Sequence, residues 1–114
     1  MGTKGDKLTG VADKSAQELQ EGLTPLGDIR IRKMFGGYGV FEEDSMFALV
    51  DSQGIIFFKV DETNVQLFEA VGSQKHGRMP YYQVPEHVLE DEKVLQEWAQ
   101  TSITISKKTK KKKI

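Results

Sequence analysis

The sequence contains no cysteine, which excludes disulfides, thiolate nucleophiles and cysteine-ligated zinc or iron–sulfur centres. It has two histidines, His76 and His87, without HxH or HxxxH spacing, so no metal site is expected. No stretch approaches the roughly 20 apolar residues of a membrane span. The start, MGTKGDK, lacks the apolar core of a secretory leader, and a cytoplasmic location without membrane contact is the expectation. Also missing are a Walker-type loop, a nucleophile elbow, a Ser–His–Asp order and a paired-carboxylate signature. Gly36, Gly37 and Gly39 have the wrong spacing for a dinucleotide fingerprint, and no helix follows them. Neither an enzyme nor a cofactor is expected.

What is present fits one soluble domain. Its 114 residues, 38% hydrophobic and 29% charged, suffice for a core that hides roughly two thirds of the unfolded surface. The formal net charge of −1 conceals an asymmetry. Lys107, Lys108, Lys110, Lys111, Lys112 and Lys113 lie in the last eight residues; without them the chain carries ten basic and seventeen acidic groups, a net charge of −7. Like-charge blocks stay solvated and attract polyanions. A disordered lysine-rich tail over 107–114, binding nucleic acid weakly and in a salt-dependent way, is the expectation.

Along the chain, residues 1–8 read as a disordered start and 9–106 as the folded domain. Leu8, Val11, Ala12, Ala16, Leu19 and Leu23 follow helical spacing, giving a first helix from Thr9 or Asp13 to Gly22 or Leu23. Ile29 and Ile31 alternate with Arg30 and Arg32 as in a half-buried strand. Further strands are read at Tyr38–Phe41, Met46–Val50, Ile55–Val60 and Tyr81–Val84, separated by polar turns. A short helix carries Val65, Leu67, Phe68, Ala70 and Val71 and stops at Gly72; a loop over 73–78 carries Lys75, His76 and Arg78. The closing helix, capped by Asp91, aligns Val94, Leu95, Trp98, Ala99 and Ser102 and fades near Ile105. Strands that follow one another without crossover helices predict an α+β fold. It has two layers, with a mainly antiparallel sheet of four to five strands packed against N- and C-terminal helices, and a short helix between the last two strands.

Candidate contact residues follow from this reading. Arg30, Arg32 and Lys33 form the one basic cluster of the folded body, and Arg30 and Arg32 share a strand face. Lys59 or Arg78 opposite them would complete a positive patch. The competing expectation pairs these charges with Glu42 or Glu43 across the strands. Gly36-Gly37 suits a two-residue hairpin turn, which also lets a partner or phosphate approach the backbone. Tyr38, Tyr81 and Tyr82 could stack on bases, but alternation sends Tyr81 and Tyr82 to opposite faces, so at least one belongs to the core.

The run Arg32-Lys33-Met34-Phe35-Gly36-Gly37-Tyr38-Gly39-Val40-Phe41 resembles the opening motif of the TfoX (Sxy) N-terminal domain. Met46–Val50, Phe58–Asp61, Phe68–Gly72, Met79–Glu86 and Leu95–Ala99 resemble its later elements in order, over about residues 19–102. The resemblance implies a two-layer domain with an antiparallel sheet. Family members regulate genes for natural DNA uptake, the best known acting with the cyclic-AMP receptor protein at promoters. Longer members add a helical, nucleic-acid-binding C-terminal domain, and a stand-alone N-terminal domain is expected here. The N-terminal domain alone has no established biochemical activity. A regulatory module that contacts another protein, such as a transcription factor like the cyclic-AMP receptor protein, is therefore the first expectation. A protein-interaction or small-ligand module unrelated to DNA is the second. Self-association through an uncovered edge strand is geometrically open.

Overall fold

The structure is a computed structural model that describes the backbone of residues 4–34 and 36–112 and the side chains of 10–34 and 36–109. In chain order it contains α1 (Lys4–Gly22), a 3-10 turn (Thr24–Leu26), β1 (Ile29–Met34), β2 (Gly37–Glu42), β3 (Ser45–Val50), β4 (Ile56–Lys59), α2 (Val65–Ala70), β5 (Tyr81–Gln83), α3 (Glu86–Leu89) and α4 (Glu92–Lys112). The strands form one sheet in the order β1-β2-β3-β4-β5, and every neighbouring pair is antiparallel. The fold is α+β.

Two helices cover one face of the sheet. Ala12, Ala16, Leu19 and Leu23 form the buried stripe of α1, and Leu95, Ala99, Ser102, Ile103 and Ser106 that of α4. They close on Ile29, Val40, Phe47, Ala48, Val50, Ile56 and Phe58. Alanine and serine on the helix stripes bring the helix backbones close to the sheet, where large side chains from the strands fill the space. Polar groups fix the helices to the sheet and to each other. Gln20 Nε2 donates to the Ile29 carbonyl at 2.7 Å, Gln96 Nε2 to the Gly22 carbonyl at 3.0 Å, and Ser102 Oγ to the Lys59 carbonyl at 2.8 Å. As the sequence predicts, Asp91 caps α4: its Oδ1 accepts from the Lys93 and Val94 amides.

The helix ends differ from the sequence reading. α1 begins at Lys4 rather than at Thr9 or Asp13, so residues 4–8 are helical, while 1–3 lie outside the described residues. Val11, expected on the apolar stripe, is exposed. α4 runs past Ile105 to Lys112, so the lysine-rich end begins as helix instead of separating from the domain at 107. The physical reason lies at Lys107. Its ammonium reaches the buried Glu42 carboxylate at 2.5 Å and Glu43 at 3.2 Å, tying the last turns of α4 to the β2–β3 hairpin. Those bonds, to Glu42 first and then Glu43, raise the Lys107 pKa above its ordinary value. Charge at the helix C-terminus also favours lysine there.

Glu43 occupies that hairpin with φ 57, the left-handed region that costs a residue with a Cβ about 1–2 kcal/mol. Glycine there loses part of the gain through its more flexible unfolded chain. Glu43→Gly relieves that strain but gives up the Lys107 contact, a surface ion pair of comparable worth. The two effects should nearly cancel and leave the urea-derived stability within about 0.5 kcal/mol of the wild type.

Candidate functional site

Among the described residues no helix covers the other face of the sheet. Strand alternation sends Arg30, Arg32 and Met34 of β1 to it, together with Gly39 and Phe41 of β2. On β3 a bulge intervenes: Val40 pairs with Ala48, but Phe41 pairs with Met46. The extra residue, Phe47, joins the helix-side core beside Ala48, and Met46 returns to the open face. Leu49, Phe57 and Tyr81 form a small second cluster there, with Met46 and Ile55 against it.

A cleft of about 300 Å³ opens on this face. Met34 walls it from β1, Met46 and Leu49 from β3, and His76 and Met79 from the loop before β5. A Cβ placed on Gly39 would lie 2.5 Å from Met34 Sδ and 2.9 Å from Met46 Sδ, so the two thioethers converge above a residue without a side chain. The loop is ordered by its own bonds. The His76 amide donates to the Tyr81 carbonyl at 2.8 Å and the Gln83 amide to the Gln74 carbonyl at 2.9 Å. The His76 ring stands edge-on to Phe57 with centroids 4.6 Å apart. Its Nδ1 is buried with no hydrogen-bond partner among the described residues. Asp51, also on the lining, spends its Oδ1 on the Gln53 and Ile55 amides. Thioethers are soft and adaptable, so such a cleft suits apolar groups of varied shape.

The basic residues named from sequence do not all converge. Arg30 and Arg32 stand on the open face, both exposed; Arg30 pairs with Asp28 at 3.1 Å. The Arg32 guanidinium lies 5.2 Å from the Phe41 ring centroid, a cation–π contact. Lys33 pairs in register with Tyr38, which places it on the helix side. Glu42 and Glu43 serve Lys107 rather than the β1 arginines. Lys59 is on β4 opposite Tyr81, three strand spacings or roughly 14 Å from β1. Arg78 is exposed on the loop that supplies His76 and Met79. Lys108 is exposed on α4; Lys110, Lys111 and Lys112 are helical with side chains outside the described residues, and Lys113 lies outside them altogether.

The glycine pair divides its roles. Met34 pairs with Gly37, so Gly37 is a strand residue rather than a turn residue, and the turn falls one residue earlier than the sequence suggested. Gly36 carries the positive φ, 79°, and Gly37 is buried against β3, where a Cβ would land on the Val50 carbonyl oxygen. Tyr38 turns toward α1, where burial and the neighbouring Asp13 carboxylate raise its pKa. Tyr82 faces Phe68, ring centroids 6.0 Å apart, and Tyr81 is buried in the open-face cluster. None of the three forms a stacking platform. Sequence reasoning missed the cleft because Met34, Met46 and Met79 are far apart in the chain, and a lone methionine carries no motif.

Comparison with protein families matches the TfoX N-terminal domain over residues 21–105. Comparison with curated proteins gives no match.

Proposed function

The chain belongs to the TfoX N-terminal domain family, and from that premise we propose that it is a non-catalytic regulatory module acting by contact with another protein. The setting is transcriptional control of DNA-uptake genes, with a transcription factor of the cyclic-AMP receptor type as the candidate partner. The observation that carries the reading is the open sheet face, where an apolar cleft lies beside exposed Arg30 and Arg32. Interfaces combine such an apolar centre with a charged rim, and arginine is enriched in them. The lysines at the end of α4 add a weak, salt-dependent attraction to DNA. The size of the cleft, at the lower end of ligand pockets, favours as second reading a small-ligand or interaction module unrelated to DNA.

Two measurements test the proposal. In a naturally transformable host, Arg30→Glu/Arg32→Glu should abolish activation of a competence-gene reporter without lowering protein level; full activation would sink the reading. For DNA, fluorescence anisotropy of a labelled duplex compares the intact protein with a variant carrying glutamine at 108 and 110–113. Lys107 is kept, because it holds the β2–β3 hairpin. The slope of log affinity against log salt should fall by about 0.9 for each lysine that touched a phosphate. Unchanged binding would instead make the folded body the DNA reader.

A further inference from the structure

We propose that the outer edge of β1 receives an extended acidic segment of a partner protein as a sixth strand, with an apolar side chain of that segment beside Met34 at the mouth of the cleft. The proposal rests on the reading above that the module works through protein contact, and it adds the edge used and the chemistry of the segment.

The sheet has two edges, and they are treated differently. At β5 the segment 74–76 pairs along the strand: the His76 amide to Tyr81, the Gln83 amide to Gln74, and a bridge between Lys75 and Tyr82. That edge is closed. At β1 the ladder closes on Met34–Gly37, taken as a hydrogen-bonded pair, and in an antiparallel ladder such pairs alternate. Arg30, Arg32 and Met34 therefore bond inward to β2, while Ile29, Ile31 and Lys33 turn their amides and carbonyls outward. The outward Ile29 carbonyl is taken by Gln20 Nε2 at 2.7 Å, as that alternation requires. The outward groups of Ile31 and Lys33 have no partner among the described residues. Two residues offering an amide and a carbonyl each supply four main-chain bonds to an added strand. In strand addition such bonds give affinity, and alternate side chains give specificity.

Charge selects the occupant. Arg30 and Arg32 line the edge on the open face and Lys33 on the other, all exposed, on a body that is otherwise acidic. Basic residues on an edge strand guard against self-pairing. A second copy would set these arginines and lysines against their own kind, and like charges directly opposite are destabilising. An acidic strand reverses the sign. Carboxylates beside Arg30 and Arg32 put an apolar residue next to Met34, two positions further along the same face.

The probe is a fluorescein-labelled nine-residue peptide alternating glutamate with valine and carrying one leucine, titrated with the intact protein and followed by anisotropy and by amide shifts of labelled protein. Saturable binding that moves the Ile31 and Lys33 amides is expected. N-methylation of the alternate peptide amides that face β1 should weaken it at least about tenfold, the loss of one to two hydrogen bonds. Replacing glutamate by lysine should remove it. Lys33→Pro deletes an outward amide at an edge position that tolerates proline, and should lose far more affinity than Lys33→Gln. Four results overturn the proposal. They are absence of saturation, shifts confined to the lysines of α4, equal binding of the N-methylated peptide, and a sedimenting dimer that protects the Ile31 and Lys33 amides. Reporter loss in Arg30→Glu/Arg32→Glu with any of these would leave the regulatory reading standing and strand addition refuted.

Discussion

Gly37→Ala should be the most damaging single-methyl change in this sheet, lowering stability by about 3 kcal/mol as a shift of the urea midpoint at unchanged slope. The added Cβ would meet backbone: the Val50 carbonyl oxygen first, then the Val50 and Asp51 carbonyl carbons at 3.0 and 3.1 Å. Backbone in a five-stranded sheet cannot give way locally, because moving β3 away from β2 also breaks the Tyr38–Val50 and Gly39–Leu49 pairs. The two neighbouring glycines provide the contrast. At Gly36 the nearest atom to a new Cβ is Ser52 Cβ at 3.9 Å, so only the positive φ matters and the cost is about 1–2 kcal/mol. At Gly39 the obstacles are mainly thioether sulfurs at the ends of Met34 and Met46, which can swing aside, and the loss should be the smallest of the three. A Gly37 variant as stable as the Gly39 variant would show that β2 and β3 are not this close.

The second large effect is alkaline. Burial pushes the Tyr81 hydroxyl up to about 12; the residue is 4% exposed and donates to the Met46 carbonyl at 3.3 Å. A folded-state pKa above the unfolded value means that the folded protein keeps a proton the unfolded chain has already released. Stability from this group is complete below pH 10 and drains away as pH climbs from 10 through 12. The loss is about 1.4 kcal/mol at pH 11 and on the order of 2–3 kcal/mol beyond 12. Lys107, Tyr38 and Tyr82 also have raised values and decline in the same direction. The difference between the wild type and Tyr81→Phe isolates Tyr81. At neutral pH Tyr81→Phe should be less stable by up to about 1 kcal/mol, the value of one hydrogen bond. By pH 11 the order of the two proteins should narrow or invert in urea titrations. Parallel pH profiles would mean that the hydroxyl is open to water.

Much of the architecture was legible because local rules and global fold agree. Alternation in Ile29–Arg32, the polar turns read at 42–45 and 51–54, and the Asp91 cap all mark elements that form where expected, although Glu42 and Ser45 belong to the flanking strands. The bulge was not legible. In Met46-Phe47-Ala48-Leu49-Val50 every residue is apolar and both faces of β3 are buried, so no alternation remains to show that Phe47 is an extra residue. The hairpin was placed one residue late because two adjacent glycines each qualify for a turn, and only the position of β3 shows that Gly37 is required for close approach. The end of α4 was hidden for an electrostatic reason: a lysine run reads as a solvated tail until Lys107 finds Glu42. Nor can residue spacing show that the 74–76 segment seals β5 while β1 stays open, since that depends on where a glycine-flanked loop comes to rest.

The matching of strand order to chain order has a kinetic consequence. β1 through β4 are joined by tight hairpins, so each pairing closes a short loop and its entropic cost is low. The distant closure is that of α4, where Gln96 meets Gly22 from 74 positions away. During synthesis from the N-terminus the first four strands can zip together beneath α1 while α4 is still inside the ribosome. Through that interval the share of the helix-side core that α4 later covers, including Phe47 and Phe58, faces water. Emergence of α4 (Glu92–Lys112) is then the event that completes the domain, and a chain stalled before it is the species most exposed to aggregation.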